Sequence, residues 1–200
     1  YEYSIDNGAT WQGSTTFSNL TAATYNTQVR DANLCLSAIQ AVDITEPGAI
    51  DFDPIKNSDV TCNGGNDGEI EITNVTGGTA PFTYSNDGGT TWQASTTFSN
   101  LTAGTYDMQV RDVNNCTSPI KQITIDEPAA ITFTPQINSQ VTCNGGADGE
   151  IEITLTAGGT APYEYSNDGG ATWQASATFS GLTADTYDMR IEGRRKMLAR

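Results

Sequence analysis

One interval governs this chain. Trp11, Trp92 and Trp173 stand 81 residues apart, as do Tyr3, Tyr84 and Tyr165, Cys35 and Cys116, Cys62 and Cys143, and Pro47 and Pro128. Between residues 60–110 and 141–191, 39 of 51 positions are identical. The interval never slips by a residue. A fixed period of this size marks tandem copies of one folding unit, and it constrains the fold more than any local motif does. The 200 residues divide into the C-terminal half of a first copy (1–46), a complete copy (47–127), a truncated third copy (128–191) and a tail (192–200) that leaves the pattern. The runs TEP (45–47) and DEP (126–128) mark the joints, because proline restricts the residue before it and stiffens the linker.

Inside the complete copy the local period is two. Ile70 and Ile72 alternate with Glu69, Glu71 and Thr73, and Phe82 and Tyr84 alternate with Thr83 and Ser85. Tyr106, Met108 and Val110 share a face, as do Ile123 and Ile125, then Ile131 and Phe133. Such alternation belongs to strands with one buried face. The turn clusters NGGNDG, TGGTAP, SNDGG and DVNN separate these runs, and no helical periodicity is sustained. The pattern predicts an all-β fold, a tandem array of immunoglobulin-like β-sandwiches with about seven short strands per copy. The stretch Leu101-Thr-Ala-Gly-Thr-Tyr106 has the form of a tyrosine corner, repeated at Tyr25 and Tyr187. Trp11, Trp92 and Trp173, each in a strand-like run, are expected to fill the core with those tyrosines.

Composition narrows the function. There is no histidine, which removes Ser-His-Asp and Cys-His catalysis and every His-based zinc site. A formal net charge of −15 opposes nucleic acid and anionic membrane surfaces. No apolar run reaches the roughly 18 residues of a membrane span. The chain opens at Tyr1 without a signal-peptide pattern, so it reads as a window from a longer protein. Glu69 and Glu71 are two residues apart on one strand and point away from Ile70 and Ile72, which makes them a solvated face and not a glycosidase pair. The residues give no support to an enzyme.

Two ligand classes come from the residue types. Asp67, Asp87, Asp112, Asn114 and Asp126 lie in or beside turns and offer the oxygen ligands that Ca²⁺ takes, although Asp and Asn also occur there for turn chemistry alone. No other cofactor is indicated. The tryptophans raise sugar stacking as the alternative to core packing. The four cysteines allow a Cys62–Cys116 disulfide within the complete copy, leaving Cys35 and Cys143 with partners outside the window. The rival scheme links Cys35 to Cys62 and Cys116 to Cys143. Regular cysteines in small acidic units point to an oxidising, extracellular setting.

The combined motif resembles the SprB repeat. It comprises V-T-C-N-G-G-x-D-G-E-I-E-I-T (60–73, 141–154), G-G-T-A-P-[FY]-x-Y-S-N-D-G-G (77–89, 158–170), L-T-A-x-T-Y, and R-D-x-N-x-C (111–116). The resemblance covers nearly all of residues 1–191. It implies a tandem module of very large surface proteins of gliding Bacteroidota-type bacteria, exported by the type 9 route and acting in adhesion and gliding. The expected function is thus a non-catalytic stalk or filament segment at the cell surface, whose partners are neighbouring repeats. The alternative is a carbohydrate-binding accessory module with surface polysaccharide as partner. Residues 190–200, RIEGRRKMLAR, depart from the pattern and hold five of the nine basic residues. IEGR resembles a protease-site linker, so 192–200 reads as an expression-vector scar.

Overall fold

The structure, a computed structural model, describes residues 1–193. Among them there is no helix, and fourteen strands pair throughout as antiparallel ladders. The chain forms two compact units, Tyr1–Ala49 and Ile50–Arg200. In the first, β1 (Glu2–Ser4), β2 (Ala23–Arg30) and β3 (Gln40–Ile44) form one sheet in that order. Tyr3 stands opposite Val29, and Tyr25 opposite Val42.

The second unit begins with β4 (Asp51–Ser58), β5 (Gly68–Thr76), β6 (Thr83–Ser85), β7 (Thr97–Leu101), β8 (Gly104–Arg111) and β9 (Lys121–Ile125). They form two three-stranded sheets, β4-β5-β7 and β6-β8-β9. The same unit continues with β10 (Thr132–Ser139), β11 (Gly149–Ala157), β12 (Tyr163–Ser166), β13 (Thr178–Leu182) and β14 (Arg190–Gly193), ordered β10-β11-β13 and β12-β14. The complete copy therefore has six strands, not the expected seven. The three-residue β6 is followed by a long loop, residues 86–96, where the sequence had suggested a further strand.

Period-two alternation places the core. Phe52, Ile70, Ile72 and Phe98 from one sheet meet Met108, Val110 and Ile125 from the other, with Ile50, Val60 and Leu101 closing the ends. Ile70, Met108 and Val110 are 0% exposed. Every member of this cluster lies between residues 50 and 125, so one copy closes its own interior. Burying each such side chain contributes roughly 1.5–3 kcal/mol, which lets a small sandwich stand without help from its neighbours. Tyr84, Tyr106 and Ile123 pack around the cluster half-buried. The RIEG segment departs from the repeat sequence yet still pairs as β14, with Tyr165 opposite Ile191. The reading of 192–200 as a scar falls mostly on residues 194–200, which lie outside the described residues.

Candidate functional site

Each copy carries the same side-chain knot after its short strand. Ser85 is fully buried, donates its hydroxyl to Asp87 Oδ1 at 2.7 Å, and accepts the Gly89 amide at 2.9 Å. Asp87 in turn accepts the Thr91 amide (2.9 Å) and the Thr91 hydroxyl (2.6 Å). Ser4–Asp6–Thr10 and Ser166–Asp168–Thr172 repeat these bonds. Burial pushes the Asp87 carboxyl up, but the Thr91 and Ser85 donors outweigh it and hold it at about 2. Asp6 is lowered to about 2, chiefly by the Thr10 hydroxyl. Asp168 is lowered further, by Thr172 first.

The knot aims the tryptophan. Trp92 donates its indole N–H to Gly89 O at 2.9 Å, and the Arg111 guanidinium lies 4.3 Å from the ring centroid. Trp11 has the same bond to Gly8 and lies 4.5 Å from Arg30. Gly89 has φ 88°, a left-handed backbone that strains any side chain, and a Cβ there would press on the indole at 3.1 Å and displace the Gln109 amide. This corrects the expectation that Trp11, Trp92 and Trp173 fill the core. All three are half-buried and outside the buried cluster. In Trp11 and Trp92 the polar edge of the indole is satisfied by a loop carbonyl and its face by a cation. The tyrosines act differently: Tyr25, Tyr106 and Tyr187 donate their hydroxyls to the carbonyls of Thr21, Thr102 and Thr183 at 2.9, 2.9 and 3.0 Å.

Beside each tryptophan of the second unit runs a groove of about 380 Å³. Tyr84, Asn86, Trp92, Gln93 and Thr97 line one, and Tyr165, Asn167, Trp173, Gln174 and Thr178 line the other. The amide of Gln93 is already spent on Ser95 O and Thr97 O.

The proposed calcium ligands are spread over different loops, apart from Asp112 and Asn114, which share one turn. Asp67 accepts the Thr61 amide and hydroxyl, and Asp112 accepts the amides of Thr79, Asn114 and Cys116. Burial raises the Asp112 carboxyl, yet these amides leave it lowered overall. Asp126 pairs with Lys56 at 3.0 Å. The Lys56 ammonium is raised by Asp59 first and Asp126 second. Among the described residues no three Asp, Glu, Cys or His gather as a metal site. Glu69 and Glu71 share the Asn57 amide on the solvent side of the sheet.

The joint at Asp126-Glu127-Pro128 is held by bonds that the sequence did not disclose. Val60 N donates to Asp126 O (3.0 Å), and Asp126 N donates to Asp59 Oδ1 (2.8 Å). Glu127 accepts the Gly64 amide at 2.6 Å and the Asn63 amide group at 3.1 Å, while Pro128 O takes a second Asn63 bond. From the other side, Gly159 N donates to Ala129 O at 2.9 Å. A Cβ at Gly158 (φ 81°) would lie 1.9 Å from Ala130 O, so the approach requires glycine. Next to the joint opens a cleft of about 930 Å³ bordered by Cys62, Asn63, Ile131, Thr160 and Gly193. Proline had suggested a joint at this place. Glu127, which fastens it, carried no signal beyond its position before that proline.

All four cysteines are free and exposed. The expected Cys62–Cys116 pairing is not formed, for a geometric reason. Cys62 follows the C-terminal end of β4. The Cys116 turn is tied through Asp112 to Thr79, and the adjoining Gly78 abuts Ile50 at the strand's opposite end. Eight strand residues separate those ends by about 25 Å.

No helix among the described residues is long and apolar enough to cross a membrane. No curated protein matches the chain. The family model of the SprB repeat matches residues 57–91 and 137–172, each match running from the end of a first strand through the cysteine loop and second strand to the Ser–Asp knot. Two stretches of the chain, in tandem, are thus similar to the SprB repeat, a structural repeat family of cell-surface proteins and not an enzyme family.

Proposed function

We propose that this chain is a segment of a non-catalytic stalk or filament in a large extracellular adhesin, one used in gliding and exported by the type 9 route. The copies run over 47–127 and 128–191, with 1–46 as the end of a preceding one. One observation carries this reading. The linker after the complete copy is fastened to the loops on both of its sides, Gly64 and Asn63 before it and Gly159 after it. A chain of self-closed sandwiches with fastened joints converts residues into length. Each copy adds about 26 Å of strand plus its joint. The acidic surface keeps near-identical neighbours from clumping. Arrays of two, four and six copies, measured by small-angle scattering, are expected to lengthen by a constant increment per copy. A maximum dimension that grows as a compacting globule overturns the reading.

The recurrent groove favours a second role, carbohydrate binding along the same stalk. It presents an aromatic pair with amide and hydroxyl groups in both grooves, which is the chemistry that holds sugar rings. Against it stands Arg111, which already covers one face of Trp92. Binding on a glycan array that disappears with Trp92→Ala supports this role, and an array without reproducible signal removes it.

A further inference from the structure

The cysteines form a reactive set that the stalk reading leaves unused. They are of two kinds. Cys62 and Cys143 begin C-N-G-G turns, in which Gly65 N donates to Cys62 O and Gly146 N to Cys143 O, both at 2.9 Å. Cys35 and Cys116 end D-x-x-x-C turns. There the cysteine amide donates to Asp31 Oδ1 (2.8 Å) or Asp112 Oδ1 (2.9 Å), and the aspartate amide returns a bond to the cysteine carbonyl. Both turns are built from bonds to backbone, so each thiol is exposed on a fixed support.

Within a copy the two kinds stand at opposite ends, about 25 Å apart. A disulfide needs Cα atoms within about 4.4–6.8 Å. The group that does face Cys62 belongs to the next copy. Thr160 and Gly193 border the cleft that contains Cys62. One copy earlier the same positions are Thr79 and Asp112, and those are the residues that hold the Cys116 turn: Asp112 Oδ2 accepts Thr79 N at 3.0 Å, and Val113 N donates to Thr79 O at 3.2 Å. A third copy that kept the repeat sequence would place its D-x-x-x-C cysteine at position 197, beside the wall that faces Cys62. This chain has Met197 there.

We propose that in the uninterrupted array disulfides join successive copies, from the C-N-G-G cysteine of one to the D-x-x-x-C cysteine of the next, 135 positions later. As the S–S bond forms, two thiols release two protons and two electrons. A small-molecule disulfide such as oxidised glutathione accepts them and becomes two thiols. By this rule none of the four cysteines has its partner within residues 1–200: the partner position of Cys62 is occupied in the sequence by Met197, and the partner positions of Cys35, Cys116 and Cys143 fall outside that range. The free state of all four follows. The proposal rests on the tandem-array reading but concerns a single joint, so array length and disulfide linkage fail independently.

The test replaces residues 190–200 with the sequence of 109–127, which restores the cysteine turn and last strand of the third copy. After equilibration in a glutathione redox buffer, peptide mapping without reduction is expected to show Cys62 linked to the new cysteine at position 197, with three thiols still titratable. Met197→Cys in the otherwise unchanged chain is the second variant and is expected to give the same linked peptide. The unchanged chain is expected to keep four titratable thiols. A Cys62–Cys116 or Cys116–Cys143 peptide in any of the three overturns the proposal. So does a completed chain with native-like circular dichroism and five free thiols.

Discussion

At Asp87 two carboxylate oxygens collect the Ser85 hydroxyl and both donors of Thr91, and the loop behind them sets the tryptophan. The acid is ionised in this role. Its folded value of about 2 lies below the ordinary 3.8, so its stabilisation is complete above about pH 4 and is lost as the pH falls through 2. Asp6 acts in the same window, and Asp168 in the same direction. The melting temperature is therefore expected to drop between pH 4 and 2. Asp87→Asn is expected to lower it at pH 7 and to flatten the acid limb, as read by circular dichroism melts across pH. An acid limb identical to that of the parent chain would show that the knot is not the titrating element.

At the scale of strands, β5 carries the stability. Ile72 is 1% exposed and its amide bonds Thr96 O, so its side chain is held between the sheets while its backbone anchors the Trp loop. Ile72→Ala is expected to cost about 2–5 kcal/mol in urea unfolding. Ile55, on the outer edge at 45% exposure, is expected to cost under about 0.5 kcal/mol on the same substitution. Equal losses at the two sites would contradict the assigned faces. These faces were legible beforehand because burial in a strand follows strict alternation, and Ile70, Ile72, Met108, Val110 and Ile125 obey it. Trp92 was misread because T-T-W-Q-A-S also alternates. Alternation cannot reveal that a loop carbonyl and a guanidinium will claim the ring. The cysteines were misread for a different reason. Spacing along the chain says nothing about which end of a sandwich a loop occupies, and here the two loops lie a full strand length apart.

For the whole second unit, the joint decides how the copies act together. Glu127 is the residue that ties the linker to the preceding Cys62 loop, through Gly64 and Asn63. Glu127→Ala is expected to leave the urea midpoint of the sandwich within about 0.5 kcal/mol, while proteolytic cutting between residues 126 and 131 accelerates severalfold. Unaltered cutting would mean that the fastening lies elsewhere, in the bonds of Val60, Asp59 and Lys56 to Asp126, of Asn63 to Pro128 and of Gly159 to Ala129. The repeat motif showed that copies follow one another, and its prolines suggested where they meet. They did not show how the copies are held, since most bonds at the joint use backbone groups whose availability only the folded loops determine.

The complete copy is entered at Ile50, beside one end of β4, and left at Asp126, whose carbonyl bonds Val60 just past the other end. A tug on such a chain therefore runs along the strands and not across them. Six paired positions between β4 and β5 share the load in shear, so they must yield together and cannot be opened singly as in a zipper. Geometry of that kind resists sudden force along the chain.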